Sequence, residues 1–211
     1  MTQKHESTKL EQSLYGLMAY RELTTFERLS SDARFSPTHA DRAALAKLAV
    51  TEYGHFELAC DELTAAGRDP EAVMEPFMEI IDELHERTRP GDWYESLMKA
   101  YVLDAVSADF YRVAAERLSE QARLLARRIQ ELDEQSAWLT ERLRADIDDE
   151  RLRSRLALWG RRLLGEALTK ARFVLDTTDL GALFGEEDRK ELFADLIRKH
   201  SRRMSALKLT A

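Results

Sequence analysis

The segment TEYGHFELA, residues 51–59, has the composition of a helix interior, yet it sets Glu52 and His55 one turn apart among core-type neighbours. In an α-helix, positions three residues apart differ by only about 60° in azimuth, so the two side chains share one face. The stripe Leu45, Leu48, Phe56, Ala59 and Leu63 on the same helix makes that face the buried one. An ionised carboxylate inside a core costs several kcal/mol unless a cation, a hydrogen-bond network or a metal answers it. What stands opposite Glu52 and His55 therefore decides how the chain is read.

The preceding helix carries its own stripe, Leu14, Leu17, Met18, Phe26 and Leu29, and SPTHAD (36–41) breaks it from the next. Glu22 lies on that stripe, whereas Glu27 is rotated about 140° away. Pro37 in the turn is equidistant in sequence from Glu22 and Glu52, so a hairpin folded there brings both to one level. Two carboxylates and an imidazole then converge in the core. Hard oxygen donors with one imidazole suit iron or manganese, and a Glu facing Glu-x-x-His is half of a di-iron carboxylate site. The other reading is a buried Glu–His pair satisfied by Tyr15, Tyr53 or Arg21. Asp82-x-x-His85 repeats the spacing, but it lies in a connecting segment without a partner carboxylate and reads as surface.

With 211 residues, 44% hydrophobic and 34% charged, and only eight Gly and four Pro, the chain has the make-up of long amphipathic helices. The expected fold is all-α: one ferritin-like domain over residues 1–211, with helical hairpins at about 10–66 and 92–147. Residues 70–87, a shorter helix punctuated by Pro76 and RTRPGDW, form the long crossover between them as a connection rather than a core helix, and extra helices within about 152–205 pack outside. Ser119 is the candidate cap of a new helix, and ADIDDERL (145–152) marks a further boundary. Cys60, the single cysteine, excludes an internal disulfide framework, and the first thirty residues hold no signal-type apolar run, so a cytoplasmic location is expected. No stretch is apolar enough for a membrane span.

A net charge of −7 argues against non-specific nucleic-acid binding as the main task. Arginines do concentrate in the second half, at Arg123, Arg127, Arg128, Arg151, Arg153, Arg155, Arg161 and Arg162, then Arg198, Arg202 and Arg203. They read as a solvated face balanced by nearby acids, with a tRNA partner as the alternative.

The second hairpin should supply the other half of the site. Asp104, among Leu97, Ala100, Tyr101, Ala108 and Tyr111, is the counterpart of Glu22, and Asp109 ranks second. Reflecting Asp104 through a turn at 118–119 lands in ELDEQSAW (131–138), which has no His. The inward stripe there is Ile129, Leu132, Ser136, Leu139 and Leu143, so the expected ligands fall near Leu132 and Gln135. Glu131 and Glu134 serve only in a rotated helix. Glu166, following Leu152, Leu156, Trp159 and Leu163 at helical spacing, either completes the site or pairs with Lys170.

The blocks LMAYRELTTFERLSSDA (17–33), AALAKLAVTEYGHFE (43–57), KAYVLDAVSADFYR (99–112) and LALWGRRLLGEAL (156–168) resemble the ferritin-like proteins similar to the MiaE-type tRNA hydroxylase. The resemblance implies a ferritin-like bundle with a non-haem di-iron site and, by similarity, dioxygen-dependent hydroxylation of a modified adenosine in tRNA. Glu22, Glu52, His55 and Asp104 match the family's metal positions; the second acidic-x-x-His, due near 132–135, is unmatched. The expected cofactor is two iron ions, with manganese as the other metal, or fewer if the second half-site is lost. Tyr15, Tyr101 and Tyr111 are the candidate proton or electron donors. The competing expectation is a single-metal or metal-free binding module without turnover. The outer helices either cover the bundle or make a homodimer.

Overall fold

The computed structural model describes residues 2–130, 133–147 and 149–210, with the backbone alone for 2–7, 130, 133–136 and 146. The described chain is helical, without strands: α1 (Thr2–Asp32), α2 (His39–Ala65), α3 (Pro70–Arg87), α4 (Trp93–Ala115), α5 (Glu120–Gln130), α6 (Asp133–Asp146), α7 (Glu150–Thr177) and α8 (Glu186–Ala206). Short side chains set the boundaries. Thr38 accepts the Asp41 amide to cap α2, and Asp69 accepts from Glu71 ahead of Pro70, the first residue of α3. Asp92 and Asp149 cap α4 and α7 in the same way, and the Ser119 hydroxyl accepts the Ala122 amide at the head of α5. Gly67, with φ of 71°, makes the left-handed turn that closes α2.

Helices α1 and α2 form the first hairpin, and α4 returns through α5 and α6 as the second. Together they make a four-helix bundle, its fourth arm divided between α5 and α6. Apolar side chains from every arm join one continuous core, including Leu14, Met18, Leu45, Leu97, Leu125 and Leu143. No helix among the described residues is long and apolar enough to cross a membrane.

The helix expected over 70–87 forms, but it is a packed element rather than a mere connection. α3 runs through Pro76 and buries Phe77, Ile80, Ile81 and Leu84 against α1 and α7. The ring deletes one backbone donor near the start of the helix, a loss that four buried apolar side chains offset. α7 lies on α3 and α4, and α8 on α4 and α7, so α3, α7 and α8 form an outer layer over one side of the bundle.

Glycine allows α1 and α3 to approach closely. A Cβ on Gly16 would stand 2.5 Å from the Val73 carbonyl oxygen and 2.7 Å from its Cγ1. Since backbone cannot swing aside as a flexible side chain does, Gly16→Ala is expected to destabilise the fold by about 2 kcal/mol. Gly54→Ala meets open space instead and should stabilise α2 by up to ~1 kcal/mol. Urea unfolding of the two variants checks the opposite signs.

Candidate metal centre

The α1/α2 hairpin brings Glu22, Glu52 and His55 together, with 1%, 2% and 6% of their surfaces exposed. One donor atom from each lies within 4.8 Å of the other two. His55 Nδ1 stands 3.3 Å from Glu52 Oε2. Burial raises the Glu22 carboxyl well above the usual carboxylate range against the pull of Arg21, and Glu52 nearby adds to the rise. Burial raises Glu52 as well, with Asp104 adding to it, while a hydrogen bond from Glu22 opposes it. Burial lowers His55, so its imidazole is neutral at pH 7 and keeps a lone pair for a cation.

Arg21 closes the other side. Its side chain, buried with Glu22, donates from Nη1 to Glu22 Oε2 at 3.1 Å and from Nη2 to Asp104 Oδ1 on α4. The planar fork thus joins carboxylates from α1 and α4, a geometry an ammonium cannot copy. Between the groups is a cavity of about 10 Å³, walled by Arg21, Glu22, Glu52, Asp104, Ser107 and Tyr111. That is room for one water-sized species. The Tyr111 hydroxyl is buried without a hydrogen-bond partner among the described residues, and its pKa is raised by burial and then by Glu22.

The remaining sequence candidates are placed elsewhere. Asp109 faces outward to α8, where Lys199 donates to it at 2.9 Å and Arg203 at 2.6 Å. Glu166 is half-buried on α7 in the outer layer, where its charge acts on Arg87 of α3. Its suggested partner Lys170 instead pairs with Glu83 of α3. Glu131 and the side chain of Glu134, with Leu132 and Gln135, lie outside the described residues. Of the tyrosines, Tyr101 donates to the Arg203 carbonyl, and Tyr15 is raised by burial and by Glu11 and Glu62, away from the carboxylate cluster.

His85 corrects the surface reading of Asp82-x-x-His85. Its half-buried ring lies 3.0 Å from Arg28 Nη1 and 3.1 Å from the Thr24 hydroxyl. Below it Lys99, 1% exposed, donates to the His85 carbonyl at 3.3 Å. Burial, with Arg28 adding to it, brings the Lys99 ammonium down to about 6. Arg21 entered the sequence reading only as one of three possible partners for a Glu–His pair. Neighbouring positions on a helix point about 100° apart, so its adjacency to Glu22 gave no sign that a long side chain would curl back to the same point.

A family model described as a ferritin-like domain of actinomycetes matches residues 7–187. The chain belongs to that ferritin-like family. Among proteins of curated function, none matches it. Ferritin-like di-metal proteins place one carboxylate and one Glu-x-x-His from each half of the bundle around two ions. The first half of this ferritin-like domain fits one such ion: donor atoms of two buried carboxylates and a neutral imidazole lie within 4.8 Å of one another, and the two carboxylates line a water-sized space. The second half fits less well, because Arg21 holds Asp104 and one oxygen of Glu22 with a permanent positive charge.

Proposed function

We propose that this ferritin-like protein binds one divalent first-row metal ion, iron or manganese, on Glu22, Glu52 and His55, and acts as an oxidoreductase through it. The observation that carries the reading is the buried convergence of three donor groups from two helices within 4.8 Å. Carboxylates so far from water are unfavourable without a cation, so the site is built against the stability of the metal-free fold. Iron, when bound, supplies the redox chemistry on which oxygen-dependent hydroxylation draws. The chain's own part is to hold the ion and tune its surroundings. Glu22 and Glu52 bring negative charge, His55 a neutral nitrogen, and Arg21 balances the excess of carboxylate that Asp104 adds. Tyr111 holds a proton at its hydroxyl beside them, in a core that excludes bulk water.

A small substrate fits the surface better than tRNA does. Among the described residues, four of the eleven arginines in the candidate polyanion face are taken by acids: Arg123 by Glu120, Arg155 by Asp92, Arg198 by Asp195 and Arg203 by Asp109. Charges already compensated release few counterions on meeting phosphate.

Elemental analysis of protein grown with added iron and manganese tests the reading. Close to one equivalent per chain is expected, and none in the Glu52→Ala, His55→Ala double variant. Two equivalents would instead bring Glu131 or Glu134 into a second site. No metal in the wild type, even after anaerobic Fe(II) reconstitution, would leave the ferritin-like scaffold as a binding module without turnover.

A further inference from the structure

The outer layer leaves a cleft where α1, α3, α4 and α7 meet, with about 60 Å³ of free interior space. Its walls are apolar, from Leu84 on α3 through Leu103, Val106 and Phe110 on α4 to Val174 on α7. Close-packed interiors rarely leave such a space, and one lined by hydrocarbon does not hold water well. At roughly 10–15 Å³ for each water-sized group, it takes a run of about four to six heavy atoms.

The polar groups of the cleft are concentrated at two places. On the outer edge Lys170 of α7 reaches Glu83 of α3. At the inner wall stand Arg21, Ser107 and Tyr111, and these same three residues wall the cavity at Glu22 and Glu52. The two spaces are thus separated by one layer of side chains. Within that layer the Tyr111 hydroxyl, on a residue 2% exposed, has no acceptor among the described residues. A buried donor left unpaired carries a desolvation penalty that an incoming acceptor removes.

We infer that this cleft is a binding site for a small aliphatic molecule of about four or five carbons bearing one oxygen acceptor, which takes the Tyr111 hydrogen bond. Its role as a substrate pocket rests on the oxidoreductase reading above; the binding itself does not. Hydrocarbon walls select the chain of the ligand, and the orphan hydroxyl selects its polar end and points it toward the carboxylate cluster.

Isothermal titration of the full-length, metal-free protein with pentan-1-ol is the test. Saturable one-to-one binding is expected. Tyr111→Phe, which removes the hydroxyl and leaves the space, should weaken it roughly three- to tenfold. Ala171→Phe, which drives a ring into the cleft from a half-buried position on α7, should weaken it at least tenfold with helical content unchanged. Should that variant fail to fold, Tyr111→Phe still reads the site without added bulk. Absence of binding to the wild type, or equal binding to wild type and Tyr111→Phe, overturns the inference. Failed metal uptake with pentanol binding intact overturns the proposed function and leaves the cleft assignment standing; metal uptake without pentanol binding does the reverse.

Discussion

Replacing Arg21 by methionine is expected to destabilise the metal-free protein by about 3–5 kcal/mol and to raise its metal content above that of the wild type. The first effect follows from what the guanidinium holds. It bonds Glu22 of α1 and Asp104 of α4 in a site where neither carboxylate reaches bulk water freely, and removing one partner of a buried ion pair strands the other. Methionine keeps much of the volume, so the loss is electrostatic rather than a cavity. The second effect separates two roles that structure alone would merge. If Arg21 stands where a second ion would otherwise sit, Mn(II) or Fe(II) should restore much of the lost stability, through binding to the folded state. A purely structural arginine would give the same destabilisation with no response to metal. Urea unfolding with and without Mn(II), alongside elemental analysis, decides it, and a metal-insensitive loss would sink the resident-cation reading. Arg21→Lys should recover only part of the stability, since an ammonium cannot fork to both acids.

Lys99→Met should act in the opposite direction, stabilising the protein by roughly 2–4 kcal/mol at pH 7. The lysine is 1% exposed, among Arg28 and the His85 carbonyl, and its ammonium titrates at about 6 against an ordinary 10.5. The sign is fixed by the protons each state holds. Between those two values the folded chain has lost the Lys99 proton and the unfolded chain has kept it, so unfolding takes up a proton. Stability therefore rises with pH across that window, by somewhat over 1 kcal/mol per unit from this group alone. Below pH 6 both states are protonated and the slope disappears. Lys99→Met should remove this dependence, so its advantage is largest near pH 6 and shrinks toward pH 10. Unfolding free energies at pH 6, 7.5 and 9 would show it; parallel wild-type and variant curves would show that Lys99 does not titrate this way.

Much of this architecture was legible in the sequence because its signals are local. SPTHAD, Ser119 and Asp149 act within a few residues of the boundaries they set, by accepting the free amides of a helix start. The placement of Glu22 opposite Glu52 follows from helical periodicity and a turn near Pro37. Other features gave no local sign. The helix over 70–87, with Pro76 inside it, read as a connection rather than a core helix, because the burial of its apolar face comes from α1 and α7. His85 looked exposed because Arg28, which covers it, lies 57 residues away. Asp109 looked as inward as Asp104, since both are flanked by apolar residues on α4, and only the position of α8 shows which of them meets Lys199 and Arg203.

The sequence by itself determined the helices, their hairpin order and the face on which Glu22, Glu52 and His55 sit, because periodicity, capping and turn chemistry act between residues close along the chain. The tertiary structure alone decided that Arg21 bridges to Asp104, that a permanent positive charge therefore stands between Glu22 and Asp104, and that an apolar cleft lies one layer of side chains away. Those depend on how far long side chains reach and on which helices pack side by side. Neither is encoded in spacing, because both arise only when segments distant in sequence compete for the same core.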